Sequence, residues 1–145
     1  MSLFSKTCEY AIRAVFYIAR CSHEGKRVGI KEIAEKINSP EPFLAKILQQ
    51  LSREGIIQSA KGPNGGFFID ADGLDRPIAD IVAAIDGKDI FVGCAMGLRN
   101  CSEVNPCPLH HEFKKVRTQI TKMLHRTTIG KFNGELVSGK FSLDK

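Results

Sequence analysis

Three stretches with apolar residues at helical spacing run, with only short breaks, into two β-prone runs joined by Lys61-Gly62-Pro63-Asn64-Gly65-Gly66. That order constrains the fold more than any other feature of the chain. Ser5 or Thr7 can cap a first helix in which Tyr10, Ala14, Ile18 and Cys21 share a face. Glu24 to Arg27 breaks it, and Ile30, Ile33, Ala34 and Ile37 mark a short second helix ending at Asn38-Ser39. A third is expected with Ser39 as cap and Pro40 in its first position, turning Phe43, Leu44, Ile47, Leu48 and Leu51 inward and closing at Gly55. Ile56 to Ala60 and Phe67 to Asp70 then read as a hairpin with a glycine-rich tip.

Helix, helix, helix, hairpin is the order of a winged helix-turn-helix, in which the third helix enters the major groove of DNA and the hairpin touches the adjoining backbone. The expected class is therefore mainly α with a small β-hairpin, and residues 1–87 form the DNA-binding domain. Its later part includes Ile78, Ile81, Val82 and Ile85, which mark a short amphipathic helix ending at Gly87. Residues 88–107 have no usable periodicity and read as a loop. Pro108 can start a long helix with a stripe of Phe113, Val116, Ile120 and Leu124, flanked by Leu109 and Met123. Lys114, Lys115, Arg117 and Lys122 occupy the face opposite that stripe. Residues 108–132 thus read as a long helix, whose stripe has little else to cover in a lone winged-helix domain, and a last turn, and residues 133–145 as a flexible tail.

The outer face of the third helix carries Glu41, Ala45, Lys46, Gln49, Gln50 and Arg53, which supply donors and acceptors for base edges and phosphates and, at Ala45, room for close approach. Lys61 and the glycines beside it bring one cation and free backbone amides to phosphate. The net charge of +5 agrees with a polyanionic partner, although the basic residues are spread over both halves and any DNA surface must be local. No paired carboxylates, nucleophile elbow or nucleotide-binding phosphate loop is present, so an enzyme is not expected. No apolar run approaches the roughly 18 residues of a membrane span. The first residues reach the charged Glu9 without a signal-peptide core, giving a cytoplasmic expectation with no membrane partner.

Five cysteines fall into two groups: Cys8 and Cys21 in the first helix, where they read as packing residues, and Cys94, Cys101 and Cys107 in the aperiodic loop. In a reducing compartment three clustered thiols point to metal or redox chemistry rather than disulfides. His110 follows Cys107 by three residues, so three thiolates and an imidazole can serve an iron-sulfur cluster or zinc, or the thiols can act alone. His111 reads as a surface residue, with an alternate ligand role left open. If Pro108 opens the helix, Cys107 lies at its N-cap and His110 at N3, where the helix dipole favours thiolate.

Leu3, Ser5, Lys6, Tyr10-Ala11, Ile33-Ala34, Phe43-Leu44, the wing from Lys61 to Phe67 and the stretch Ile78 to Gly87 resemble the Rrf2 family of bacterial regulators over about residues 1–132. The resemblance implies a homodimeric winged-helix transcription factor, expected to repress, binding a pseudo-palindromic operator in double-stranded DNA. It adds Ser5, Lys6, Lys31, Gly62 and Asn64 to the candidate DNA contacts. It also implies a sensor of redox state, nitric oxide or iron-sulfur status. In it, Cys94, Cys101 and Cys107 match the cluster ligands, and His110 matches the fourth ligand of the IscR type. Glu9 matches the acidic ligand that NsrR-like members take from the partner's first helix. A 2Fe-2S and a 4Fe-4S cluster both stay open, with zinc as the alternative cofactor.

Overall fold

The computed structural model of the chain describes residues 1–139, 142 and 143. Helix α1 (Lys6–His23) is the centre of the molecule and packs against α2 (Ile30–Ile37), α3 (Glu41–Arg53), α5 (Ile78–Asp86) and α8 (Ile129–Val137). Ser5 caps α1, its hydroxyl accepting from the Cys8 amide at 3.0 Å. Cys8, Ala11, Ala14, Val15, Ile18 and Ala19 lie on its buried side, and their small size lets neighbouring helices approach closely. Asn38, at φ 54°, ends α2 in a left-handed turn, and the Ser39 amide returns to the Ala34 carbonyl at 2.9 Å.

The start of α3 differs from expectation. Pro40, not Ser39, is its N-cap, and the Ser39 hydroxyl turns to the Pro40 carbonyl at 3.3 Å. A cap at Ser39 would have to accept from the amide of Glu41 or Pro42, and proline has none to give. Phe43 is not wholly inward either: it is more than a third exposed and meets Tyr10 edge to face at 5.6 Å.

Strands β1 (Gln58–Ala60) and β2 (Gly66–Phe68) pair antiparallel, Ser59 opposite Phe67. They are shorter than the β-prone runs because Ile56, Ile57 and Ile69 leave the ladder to plug the core. A contact far apart in sequence completes the hairpin: Val28 and Phe67 exchange two backbone hydrogen bonds at 3.0 and 2.8 Å. Gly66, at φ 137°, permits this, since a Cβ there would lie 2.9 to 3.0 Å from the Val28 backbone.

Two four-residue helices, α4 (Ala71–Leu74) and α6 (Asp89–Val92), add to the expected elements, α6 within the stretch 88–107 that reads from sequence as a loop. The long helix α7 spans His110–Arg126, two residues later than Pro108 predicts. The His110 amide bonds to the Cys107 carbonyl at 3.0 Å, so Pro108 and Leu109 form a tight turn ahead of the helix and Cys107 does not cap it. The α7 stripe divides. Leu124 is buried and Phe113 and Ile120 are partly covered, whereas Leu109, Val116 and Met123 face outward. Residues 133–137 continue α8 rather than begin a tail, because Phe132 stacks on Phe16 at 4.2 Å and Leu136 also packs on the core. The rest of the expected tail at 140–141 and 144–145 lies outside the described residues. Among the described residues no helix is long and apolar enough to cross a membrane.

Candidate nucleic-acid interface and cysteine loop

The exposed side of α3 presents Glu41, Ala45, Lys46, Gln49 and Arg53 to solvent, with Lys31 exposed on α2 and Lys61, Gly62 and Asn64 exposed at the hairpin tip. Gln50 departs from the expected set. It is half-buried, and its amide donates to the Ala84 carbonyl of α5 at 3.4 Å. Ser5 is also engaged, its amide bonding the Asp86 carboxylate at 2.9 Å and its hydroxyl meeting the other carboxylate oxygen. Lys6 pairs with Glu9 at 3.3 Å and lies over the Tyr10 ring, but its side chain is 71% exposed, so this ion pair holds it weakly. One cation escaped the sequence reading. Arg27 stacks over the Phe68 ring at 4.8 Å and reaches the Asn64 carbonyl at 3.5 Å, adding charge at the root of the wing. Its place beside Val28 is the only signal, and that signal needs the Val28–Phe67 pairing to be known.

The loop between α6 and α7 brings the three cysteines to the inward face of α7. The Cys101 sulfur lies 3.2 Å from His110 Nδ1 and 3.2 Å from Arg117 Nη1. Backbone amides of Leu98 and Met96 lower the pKa of the Cys94 thiol below its ordinary value, with the Cys107 side chain and the Arg117 charge adding to the effect. His110 is 3% exposed and its Nε2 makes no hydrogen bond, with the Glu103 carboxylate at 3.7 Å as its acidic neighbour. Glu103 is held ionised mainly by Lys114. A cavity of about 520 Å³ opens beside the loop, lined by Leu3, Ile90, Cys94, Cys101, Phe113 and Ile120.

Glu9 is elsewhere. Its carboxylate, lowered in pKa chiefly by Ser2 and then Lys6, does not line this cavity. His111 is exposed and meets the His110 ring edge to face at 5.1 Å. Cys8 and Cys21 are buried in the core, and burial, with Asp86 alongside, pushes the Cys8 thiol up to about 12.

Among the described residues no three His, Cys, Asp or Glu side chains converge tightly enough to hold a single metal ion. A single ion needs all its donors about 2.0–2.3 Å from one point. The loop instead offers two close pairs, Cys94 with Cys107 and Cys101 with His110, with Arg117 near both. This donor set fits a thiophilic group broader than one ion: three soft thiols and a buried imidazole with an unpartnered nitrogen.

The profile of the Rrf2 family, described as iron-dependent transcriptional regulator, matches residues 4–134. A putative HTH-type transcriptional regulator of Aquifex aeolicus (strain VF5) is 35% identical over 129 residues, covering 88% of each chain. The HTH-type transcriptional regulator IscR of Escherichia coli (strain K12 / DH10B) is 26% identical over 144 residues, covering 99% of this chain and 85% of IscR. Among solved structures, T. potens IscR superposes with a TM-score of 0.75 at 20% identity, over 98% of this chain and 93% of that one. CymR (YrzC), the global cysteine regulator of B. subtilis, gives 0.73 at 20% identity, over 92% and 98%. At such identities the structural likeness speaks for the winged-helix fold alone. The profile match over nearly the whole chain, together with the Aquifex relative, carries the assignment: the chain belongs to the Rrf2 family of helix-turn-helix transcriptional regulators.

Proposed function

We propose that the chain is a homodimeric repressor, working in the cytoplasm, whose grip on a pseudo-palindromic DNA operator depends on an iron-sulfur cluster held by Cys94, Cys101, Cys107 and His110. The observation that carries this reading is the Cys101–His110 pair at 3.2 Å, with a second imidazole nitrogen buried and unpartnered. A buried nitrogen without a partner costs about 1–3 kcal/mol, and a ligand role would account for it. His110 is favoured over Glu9 as fourth ligand because it already meets Cys101 within the chain, whereas Glu9 would have to come from the partner's first helix. The name IscR on a relative matching 99% of this chain supports the same choice. When bound, the cluster supplies iron that reacts with oxidants and nitric oxide.

In this reading Lys46, Gln49 and Arg53 address the major groove, Lys31, Lys61 and Asn64 the flanking phosphates, and Lys6 the phosphates near the start of α1. Leu109, Val116 and Met123 form the apolar face of α7 against the second copy. Helix α5 links the loop to the DNA-binding surface. Ala84 receives Gln50 of α3, Asp86 receives Ser5, and α6 begins three residues after Asp86. A shift in the loop is therefore passed to α3 and to the start of α1. Because operator half-sites lie about one helical turn apart, a small tilt between paired α3 helices lowers affinity.

A second reading, in which the thiols sense oxidants without a cluster or hold zinc, is favoured by one feature, the acidified Cys94 thiol beside Cys107. Selection of duplex DNA from a random pool, with anaerobic and air-exposed protein, tests the proposal. Recovery of an inverted repeat whose affinity changes on exposure supports it. No DNA enrichment in either state refutes it.

A further inference from the structure

Sequence periodicity puts Arg117 with Lys114, Lys115 and Lys122 on the outer face of α7, yet its guanidinium is turned inward. Nη1 donates to the Gly93 carbonyl at 2.6 Å, reaches the Val92 carbonyl at 3.5 Å and lies 3.2 Å from the Cys101 sulfur. Val92 ends α6, so two of these acceptors are backbone carbonyls that the short helix leaves without internal partners. Gly93 immediately precedes Cys94. One guanidinium thus joins the backbone before the first loop cysteine to the thiol of the second. Arg117 lies seven residues after His110, two helical turns along the same face, so both side chains approach Cys101 from one side of α7. The neighbouring lysines have other duties: Lys114 meets Glu103 and Lys115 meets Glu112 at 3.1 Å.

We infer that Arg117 is a positioning residue of the cysteine loop, clasping the Gly93 carbonyl and the Cys101 thiol to α7 and keeping a positive charge beside the group the loop holds. The charged role rests on the iron-sulfur reading; the clasp does not. All three contacts come from Nη1, which lies one bond farther from the backbone than a lysine ammonium, so a lysine keeps the charge but falls short of holding the Gly93 carbonyl and the Cys101 sulfur together. Its charge also offsets the negative charge that thiolates and inorganic sulfide bring to the loop.

Hydrogen-exchange mass spectrometry on the metal-free full-length chain tests the clasp. Peptides covering residues 93–101 are expected to exchange roughly tenfold faster in both Arg117→Gln and Arg117→Lys, with α1 and α3 peptides unchanged. Unchanged exchange in Arg117→Gln, or restored protection in Arg117→Lys, overturns it. In protein loaded anaerobically with iron and sulfide, the midpoint potential is expected to move to more negative values in Arg117→Gln and to stay near wild type in Arg117→Lys. Equal potentials in all three proteins overturn the charged role. A chain that takes up no iron refutes the iron-sulfur reading and the charged role with it, while the exchange result still decides the clasp.

Discussion

The Nδ1 of His110 lies 3.2 Å from the sulfur of Cys101, while its Nε2, shut away from solvent, has no hydrogen-bond partner. In the metal-free fold the imidazole has only the Cys101 contact and the Glu103 carboxylate at 3.7 Å to set against the cost of that nitrogen. Replacing it by an apolar side chain of similar volume removes the unsatisfied nitrogen along with the Cys101 contact, and the Cys101 sulfur keeps Arg117 as a partner, so gain and loss offset each other. His110→Leu is therefore expected to leave the melting temperature of metal-free protein close to wild type while lowering its iron content after anaerobic reconstitution. Calorimetry and iron analysis on the same preparation check both halves.

Ser5 shows how a candidate DNA contact can also carry the fold. Its hydroxyl caps α1, and both its hydroxyl and its amide meet Asp86. Ser5→Ala is expected to cost about 1–2 kcal/mol through loss of the cap. Urea unfolding measures this, and any loss of DNA affinity in the variant must be read after that correction.

The wing is held by the approach of Gly66 to Val28. Gly66→Ala places a Cβ against the Val28 backbone at a φ of 137°, and about 1–3 kcal/mol of destabilisation is expected. Amide exchange at Val28 and Phe67 should accelerate before that of the α1 core, because the two backbone bonds between them are the first to part.

Lys61 and the two glutamines of α3 should separate cleanly in DNA binding. Lys61→Ala is expected to weaken all sequences alike and lower the salt slope by about one, as loss of one phosphate contact does. Gln49→Ala should change sequence preference. Gln50→Ala should leave preference alone, since that amide faces Ala84, and should instead weaken the coupling between loop state and affinity.

Alkylation of the metal-free protein should rank the thiols. Cys94 has a lowered pKa, so its thiolate persists to more acidic pH than an ordinary cysteine, whereas Cys8, pushed up to about 12, stays a thiol throughout the neutral range. Iodoacetamide at pH 7 is expected to label Cys94 early and Cys8 only on unfolding, as read by peptide mass spectrometry. Early modification of Cys8 would contradict the burial that raises it.

Much of this was legible in the sequence because its periodic apolar residues are local signals: α1, α2, α3 and α5 end within a few residues of where Ile18, Ile33, Leu48 and Ile81 place them. The misses depend on contacts that periodicity does not encode. Gln50 looks solvent-facing until α5 supplies Ala84 as an acceptor, and Arg117 looks like one of four cations until the loop folds back to it. Pro108 is a good first residue for a helix, but a good first residue for a reverse turn as well, and the Cys107 carbonyl decided for the turn. The three cysteines and His110 were legible as candidates. That Cys101 and His110 meet required the fold.

The most direct test of the cysteine loop as a cluster-holding sensor is the visible absorption of anaerobically purified protein, recorded with its iron, inorganic sulfide and zinc content per chain. The account predicts a brown protein with bound iron and sulfide, both lost in Cys101→Ser, which still folds. A colourless wild-type protein, whether it carries zinc or no metal, would contradict it.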